Sequence, residues 1–421
     1  MKTRLTLLLA LFVLICSCTN QKKLAVQNPT GMERLDESVV FSRAQISSQV
    51  EISEGMLPFI FADGKVVPSQ IDDLDGDGEW DEVIALFDFQ PNESKEVTIK
   101  MVHENEYPVF DKRTNVRLGI KQEDNSYLEV DEYQALSCKD GFEVIAQGES
   151  VSWENDKIGF RNYFDCRNVK DLFGKLQPGL ILDEIGTPGF GSYHDLNDWG
   201  MDVLHCGSSL GSGGIALLKN DSLYRLGSTD VYKYKKIVEG PVRSIFELQY
   251  SGWEVDGELL EAVERISIYP GKYWFESDVT VVNCPDGAEI VTGIVTSLFK
   301  GEPFEFSANG FKCIGTHGVQ SLNNDELGMG VILPENEAGK VARTSNTNYF
   351  KLGYKTVVEK GFSNIISETY YISQEYNGDK PAKHYFFAVW GLDKDQWKTE
   401  EGFKKYISEE ALKLSEKIVV N

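Results

Sequence analysis

The sequence is poor in cysteine, and the cysteines it has are not spaced as disulfide pairs. Of seven in total, five follow residue 18, at Cys138, Cys166, Cys206, Cys284 and Cys313. Their odd number and wide separation predict no disulfide framework. The lack of any Cys-x-x-Cys pair argues against a structural zinc ribbon. We therefore expect most of these residues to be small buried side chains.

Basic residues are also scarce. The chain has 42 Lys and Arg against 66 Asp and Glu, which gives a formal net charge of −24. Residues 1–17 contain Lys2 and Arg4 and no acidic residue, so the charge without them is −24 − 2 = −26. An acidic surface with no basic stripe repels phosphate backbones, which argues against nucleic acid as a partner. An anionic ligand would need a local group of Arg or Lys, or a metal ion.

Long apolar runs are lacking as well, because no stretch after residue 17 approaches the eighteen or more residues of a membrane-spanning helix. Residues 7–15 form an apolar run of about nine residues that follows Lys2 and Arg4 and is typical of a signal peptide. Ser17-Cys18 resembles a lipobox, so we expect residues 1–17 to be removed and Cys18 to carry a lipid. An ordinary secretory signal cut nearby is the alternative. Residues 18–30 form a polar tether without an acidic run, which favours an outer-membrane lipoprotein facing the periplasm over the cell surface.

Short apolar runs separated by polar turns predict a fold of the all-β class, built mainly from strands. In the first hundred residues such runs occupy 38–42, 57–62, 82–87 and 95–102, a pattern typical of a small β-sandwich. Longer strands continue to about residue 389, and 261–269 and 273–282 flank a Pro-Gly-Lys turn that predicts a hairpin. Residues 399–418 have helical spacing and predict a helix packed on the β body. Residues 165–174 are expected to form a short helix or a structured loop.

Residues 72–82 form an acidic loop in which aspartates alternate and Gly78 permits a sharp turn. This resembles the first half of a calcium loop, and hard cations such as Ca²⁺ prefer oxygen ligands. The twelfth position is Ile84 instead of Glu, so a nearby acidic residue would have to complete the ligand set. We expect a structural Ca²⁺, with a solvated acidic turn as the alternative. The expected ligands are Asp73, Asp75, Asp77, Asp81 and Glu82.

Residues 186–214 combine many glycines with two of the five histidines, which predicts a long irregular loop that carries function. His194 can serve as acid or base near neutral pH, and Tyr193 beside it can exchange a second proton. Trp199 could stack on a sugar face, with Asp198 nearby as a polar contact. His205 is a further catalytic candidate. Each histidine could instead be structural, or His194, Asp198 and His205 could bind zinc, although their spacing matches no standard zinc motif.

Residues 159–167 concentrate Arg161, Tyr163 and Arg167 in an otherwise acidic protein. A guanidinium group can bind a carboxylate or sulfate through two hydrogen bonds, so this segment could hold an anionic sugar group if it faces the central loop. Pairing of both arginines with surface acids is the alternative.

The order of lipobox, acidic loop, residues 159–167 and residues 193–214 resembles a family of uncharacterised Bacteroidota lipoproteins encoded in polysaccharide-utilisation loci. The resemblance covers nearly the whole mature chain and implies oligosaccharide dehydration in ulvan breakdown. It implies an N-terminal β-sandwich with the acidic loop at 31–105 and a β-supersandwich related to galactose mutarotase at 106–421, ending in a helix. Fold alone does not fix function.

The implied reaction is β-elimination at the terminal uronic acid of an oligosaccharide, which leaves a 4,5-unsaturated sugar. Arg161 or Arg167 would neutralise the carboxylate, His194 would act as base, and Tyr193 or Tyr163 would act as acid. These roles need no cofactor beyond the structural Ca²⁺. The alternatives are a polysaccharide lyase or hydrolase acting on uronate oligosaccharides, a mutarotase-like epimerase, or a glycan-binding lipoprotein without catalysis.

Overall fold

The computed structural model describes residues 24–135, 145–353, 356–357, 360–361 and 364–421. Within these residues strands dominate, which confirms the mainly β class of fold. Cys18 and Cys138 lie outside the described residues. No helix in the described part of the chain is long and apolar enough to cross a membrane.

Two small antiparallel sheets form a sandwich near the N-terminus. A five-stranded sheet has the order β29-β1-β7-β3-β4, and a three-stranded sheet has the order β2-β6-β5. The strands are β1 (Leu24–Gln27), β2 (Arg34–Ser42), β3 (Met56–Ala62), β4 (Lys65–Val66), β5 (Ser69–Asp72), β6 (Glu82–Phe89), β7 (Ser94–His103) and β29 (Val419–Val420). Alternate residues of these strands bury an apolar core that includes Phe41, Ile60 and Phe89. Because β29 is the last strand of the chain, the C-terminus completes the first sheet.

Helix α1 (Arg43–Ser47) follows β2 directly. Its first turn is closed by a capping box, in which Ser42 accepts a hydrogen bond from the Gln45 backbone and the Gln45 side chain accepts one from the Ser42 backbone. Ile46 is the residue that this helix buries.

The rest of the chain builds larger antiparallel sheets. The first strands of this region are β8 (Thr114–Arg117), β9 (Gly119–Lys121), β10 (Tyr127–Glu129), β11 (Glu132–Ala135), β12 (Ser150–Asn155), β13 (Ile158–Tyr163), β14 (Lys170–Lys175), β15 (Gly200–Asp202), β16 (Ser212–Lys219) and β17 (Ser222–Arg225). The later strands are β18 (Val231–Glu239), β19 (Ser244–Val255), β20 (Glu258–Ile268), β21 (Trp274–Val282), β22 (Glu289–Val295), β23 (Phe304–Ala308), β24 (Phe311–Val319), β25 (Glu326–Pro334), β26 (Ala338–Arg343), β27 (Thr369–Glu375) and β28 (Ala382–Trp390).

These strands form a nine-stranded sheet of order β11-β18-β19-β20-β21-β28-β25-β24-β23 and two five-stranded sheets. The five-stranded sheets have the orders β15-β14-β13-β12-β8 and β17-β16-β22-β27-β26, and β9 pairs with β10 separately. One large apolar core includes residues from all three large sheets, among them Trp153, Phe246 and Ile372. The sheet that contains β13, β14 and β15 is the one that positions the site described below.

Two predicted features of this region are confirmed. The hairpin around Pro270 is formed by β20 and β21, which pair from Glu261↔Val282 to Ile268↔Phe275. Helix α2 (Glu400–Ser415) occupies the predicted C-terminal position and begins where Thr399 accepts a hydrogen bond from the Gly402 backbone. It buries Phe403 and Ile407 against the body of the protein.

Two expectations are wrong. Residues 170–175 form strand β14, because they pair with β13 and β15 and so acquire backbone partners that a local pattern does not reveal. Cys166 is disulfide-bonded, although the cysteine spacing predicted no disulfide. Among the described cysteines, Cys206, Cys284 and Cys313 are free thiols.

Candidate active site

Strand β13 brings Arg161 and Tyr163 to one face of its sheet, because residues two apart in a strand point the same way. Phe160 points to the other face and is buried in the main core. In the antiparallel register Arg161 lies opposite Asp171 of β14. Both side chains are almost fully buried, with 3% and 2% of their surface exposed.

The buried Arg161 guanidinium is held by two carboxylates. Its Nη2 lies 2.6 Å from Asp171 Oδ2 and 2.6 Å from Asp202 Oδ2, and its Nε donates to Asp171 Oδ2 at 3.0 Å. The Asp171 and Asp202 carboxylates raise the pKa of Arg161 against the effect of burial, so the guanidinium stays charged. Because all of these contacts are desolvated, removing one partner would leave an unpaired buried charge and cost about 3–5 kcal/mol.

The remaining donors of Arg161 reach two tyrosine hydroxyls. Nη2 donates to Tyr163 Oη at 2.8 Å, and Nη1 lies 3.4 Å from Tyr193 Oη. The Tyr163 hydroxyl in turn donates to Asp171 Oδ2 at 3.1 Å. Burial raises the pKa of Tyr163 well above its ordinary value, so this hydroxyl stays protonated. The guanidinium is thus engaged within the protein and positions the side chains around it.

The loop between β14 and β15 carries Tyr193 and His194. Tyr193 and Trp199 pack with Phe173, Phe190 and other apolar side chains, which anchor the loop on the sheet. The Asp202 backbone donates a hydrogen bond to the Tyr193 carbonyl at 2.8 Å and fixes the end of the loop beside β15.

His194 and Asp202 form a histidine–carboxylate pair at the surface. His194 Nδ1 lies 3.2 Å from Asp202 Oδ2; 58% of the His194 side chain is exposed, whereas Asp202 is buried. Because a carboxylate only accepts, Nδ1 carries the hydrogen, and Nε2 of the neutral ring is left as a base. The hydrogen bond to Asp202 raises the pKa of His194 despite partial desolvation. The Tyr193 ring lies 4.3 Å from the His194 ring, centroid to centroid.

Arg167 lies on the other side of Tyr163. Its guanidinium carbon is 3.8 Å from the centre of the Tyr163 ring, and it pairs with buried Asp165 and with Glu149, whose side chain is 43% exposed. Burial lowers the pKa of Arg167, but Asp165 and Glu149 outweigh it and keep that pKa above its ordinary value. Arg161, Tyr163 and Arg167 therefore form one continuous group.

The other predicted residues of the central loop make no contact with the Arg161 group among the hydrogen bonds described above. Trp199 is half-buried in the apolar cluster that anchors the loop, and Asp198 is exposed next to it. His205 is half-buried and its Nδ1 lies 3.0 Å from Ser297 Oγ. In the described part of the chain, His194, Asp198 and His205 are not among the groups whose ligand atoms converge on a common point. The geometry therefore gives no support to the zinc alternative.

The acidic loop brings three of its five predicted ligands together. One carboxylate oxygen from each of Asp73, Asp75 and Asp81 lies within 4.8 Å of the others. Asp77 accepts a hydrogen bond from the Glu79 backbone. Glu82 pairs with Arg243 instead and so has a structural partner. Three convergent carboxylates are a donor set that suits Ca²⁺.

Two residues central to this arrangement were not among the predicted site residues. Asp171 and Asp202 lie in or near apolar runs, and each reaches Arg161 only through strand pairing. The sequence offered one indication of Asp171: it lies ten residues after Arg161, on the other side of a turn. In the hairpin of β13 and β14 the two residues pair directly.

A partly open cavity of about 330 Å³ lies elsewhere, between β2, the β20–β21 turn and α2. Its charged walls pair with one another: Glu37 lies 2.6 Å from both Arg34 and Lys272, and Trp274 donates to Glu410 at 2.8 Å. Buried charges that satisfy each other indicate a structural contact between these elements, and we do not place the chemistry there.

A family described as "Domain of unknown function (DUF4861)" matches residues 26–420. "Uncharacterized protein P7" of Formosa agariphila is 24% identical over 440 residues, which cover 98% of this chain and 97% of that protein. Two solved structures from Enterococcus faecalis, an alpha-mannosidase and a protein in the glycosyl hydrolase family 38, are each 8% identical, with TM-scores of 0.43 and 0.46. In both cases 95% of this chain aligns, over 45% and 47% of theirs, so it spans less than half the length of either.

Proposed function

This chain belongs to the DUF4861 family, and we propose that it is a carbohydrate-active enzyme that removes water from a terminal uronic acid of an oligosaccharide. The product is a 4,5-unsaturated sugar, as in an ulvan-type dehydratase. The observation that carries the proposal is the pair of exposed His194 and buried Asp202, set beside a tyrosine hydroxyl that is itself bonded to Arg161.

The proposed base is Nε2 of His194. It takes the proton from C5 of the uronic acid, and the electron pair of that C–H bond becomes the C4–C5 double bond. Asp202 stabilises the imidazolium that forms, because its buried negative charge lies next to the positive ring. The hydrogen bond to Asp202 also raises the pKa of His194.

The proposed acid is Tyr193. Arg161 donates to its oxygen, so the hydrogen of the Tyr193 hydroxyl is left to protonate the hydroxide that departs from C4 as water. Tyr163 is less suited, because its hydrogen is directed to Asp171. The proton then held by His194 returns to Tyr193 and completes the cycle. In this scheme Arg161 is a positioning residue, which orients the acid and holds the carboxylate of the base.

The substrate carboxylate needs a cation, and Arg167 is the proposed partner. It keeps its bond to buried Asp165 and exchanges the more exposed Glu149 for the substrate. A bidentate arginine contact would stabilise the charge that develops on the carboxylate as the C5 proton leaves. We assign substrate contacts to Trp199 and Asp198 at the loop surface.

The geometry favours elimination over hydrolysis. Glycosidases use two carboxyl groups that flank the bond to be broken, about 5–9.5 Å apart. Here Asp171 and Asp202 are both buried and both bonded to the same nitrogen of Arg161. They therefore hold a cation, and neither is exposed to attack a sugar.

The test is to incubate the protein without residues 1–17 with uronate-terminated oligosaccharides and to follow ultraviolet absorbance and product mass. A dehydratase gives loss of one water and a new unsaturated chromophore. A lyase gives the chromophore together with two fragments, a hydrolase gives fragments without it, and an epimerase leaves the mass unchanged. Binding without any of these changes would leave a glycan-binding protein and overturn the enzyme proposal.

We also propose that the acidic loop binds a structural Ca²⁺ through Asp73, Asp75 and Asp81. The support is the convergence of their carboxylates and the two glycines, Gly76 and Gly78, whose φ angles of 80° and 88° fold the loop back on Asp73. The expected contribution of this ion is to the stability of the first sandwich.

Finally, we propose that the protein is exported and anchored by a lipid on Cys18, on the periplasmic side of the outer membrane. The support is the sequence of residues 1–18 and the disulfide at Cys166, since disulfides persist in oxidising compartments. A Cys18→Ala variant that still incorporates labelled palmitate in cells would contradict this anchor.

A further inference from the structure

A turn of three residues, 147–149, contacts both arginines of the candidate site and the loop that carries Tyr193. It lies directly before β12, and its last two residues have left-handed backbones, with φ 55° at Gly148 and φ 60° at Glu149. This conformation costs free energy for a residue with a side chain, such as Glu149, and persists only where surrounding contacts hold it. All three residues of the turn have such contacts.

Gly148 and Glu149 bond to the two arginines. Arg161 Nη1 donates to the Gly148 carbonyl at 3.3 Å, and the same nitrogen lies 3.4 Å from Tyr193 Oη. Because Nη1 has two hydrogens, it can bond to both oxygens at once. The Glu149 carboxylate pairs with Arg167 at 2.7 Å. The Gly148 carbonyl therefore fixes the nitrogen of Arg161 that faces the proposed acid.

Gln147 holds the loop itself. The residue is 5% exposed, and its side-chain nitrogen donates to the carbonyls of Asp183 at 3.0 Å and Ile185 at 2.7 Å. The side chains of Ile185 and Leu182 are buried in the apolar cluster against which Tyr193 packs. One amide group thus fixes the backbone of the segment on which the ring of the proposed acid rests.

The turn and the loop also touch through two glycines. A Cβ atom at Gly186 would lie 3.1 Å from the Gly148 nitrogen and 3.8 Å from Tyr193 Cε1. The first of these distances is shorter than an ordinary contact, so a side chain at residue 186 would separate the loop and the turn by a few tenths of an ångström. The loop therefore lies directly on Gly148, beside the ring of Tyr193.

We propose that Gln147 and Gly148 are positioning residues for the proposed acid, which together set the place of the Tyr193 hydroxyl relative to Arg161. Gln147 fixes the loop, and Gly148 fixes the Arg161 nitrogen that bonds to the hydroxyl. The base is held separately, because His194 pairs with Asp202 of β15. Displacing the turn should therefore slow protonation of the leaving group more than removal of the C5 proton. This inference rests on the proposed function, since a departing hydroxide is what needs the acid.

The test compares two uronate-terminated oligosaccharides that differ at C4 of the terminal sugar. One has the hydroxyl group, which takes a proton and leaves as water. The other has fluorine in its place, which leaves as fluoride with the electron pair of the C–F bond and needs no proton. In both, His194 takes the proton from C5, and the unsaturated product is followed by ultraviolet absorbance with the protein without residues 1–17.

Gly186→Ala should lower kcat for the hydroxyl substrate at least about tenfold and for the fluoro substrate at most about twofold, because a small displacement of the acid affects the step that uses it. Gly189→Ala is the matched control. Gly189 lies in the same loop with φ 91°, close to the 77° of Gly186, but a Cβ atom there meets nothing within 4 Å. This variant should act on both substrates as the wild type does.

Gln147→Leu removes the donors to the loop and should show the same selective loss as Gly186→Ala, which carries the test if Gln147→Leu fails to fold by circular dichroism. An equal loss on both substrates would overturn the proposal, because a change in the fold slows both reactions alike. Unchanged rates for Gly186→Ala, or the same loss in Gly189→Ala, would also overturn it. Elimination from neither substrate by the wild type would refute the proposed function and this inference with it, so the two failures are distinguishable.

Discussion

Buried His384 should make the protein sensitive to mild acid. His384 is fully buried on β28, and neither of its ring nitrogens has a hydrogen-bond partner among the described residues. Burial, together with the nearby charges of Lys170 and Lys383, lowers its pKa to about 3. Lys170 itself forms a buried ion pair with Glu264, with 2.8 Å between Lys170 Nζ and Glu264 Oε2.

The magnitude follows from proton linkage. The unfolded chain binds a proton at His384 near pH 6.5, whereas the folded chain does so only near pH 3. The contribution of neutral His384 to the free energy of unfolding is therefore complete above pH 6.5. It falls as the pH drops from 6.5 towards 3. From pH 7.5 to pH 5.0 this one residue should remove about 2 kcal/mol of the free energy of unfolding.

The assay is urea unfolding of the wild type and His384→Leu at pH 7.5, 6.0 and 5.0. Leucine has a similar volume and no proton to bind, so His384→Leu should gain stability relative to the wild type by about 2 kcal/mol between the first and last pH. Taking the difference cancels the titration of all other groups. His103→Leu, at an exposed histidine, should show no such trend. A His384→Leu difference that stays constant with pH would contradict this prediction, since it would mean that burial does not lower the pKa of His384.

Three further predictions concern the site, the acidic loop and the anchor. Asp202→Asn should lower kcat/KM by about 10²–10⁴-fold and move the acidic limb of its pH profile to lower pH, because the carboxylate that raises the pKa of His194 is gone; an unmoved limb would contradict the pairing. Ca²⁺ should raise the Tm of the wild type but not of Asp75→Ala, with Asp63→Asn as control, and a flat calorimetric titration of the wild type would reject the ion. Cys18→Ala should move the protein from the membrane fraction to the soluble periplasmic fraction, and unchanged fractionation would count against the anchor.

The sequence predicted those parts of the fold that depend on local pattern. The C-terminal helix and the hairpin around Pro270 follow from periodicity and turn residues within a short window. The prediction of a short helix or loop at residues 165–174 is wrong, because strand β14 is recognisable only by its pairing with β13 and β15.

Only some residues of the candidate site could be predicted from the sequence. Arg161, Tyr193 and His194 were identified by their chemistry, and the structure brings them together. Asp202 was not singled out, although it lay within the same loop segment. Charged residues that strand pairing buries cannot be told from surface residues in a sequence, so the buried ion pairs of the site could not be predicted from local pattern.

In the proposed reaction His194, held by Asp202, removes a proton from a uronic acid so that water can leave. The most direct measurement is the initial rate of unsaturated-product formation from a uronate-terminated oligosaccharide by the wild type, His194→Gln and the control His103→Gln. We predict product with the mass of the substrate minus one water, at rates that are equal for the wild type and His103→Gln and at least about 10²-fold lower for His194→Gln. Equal rates for all three proteins would contradict the assignment of the base, and no loss of water by the wild type would contradict the proposed reaction.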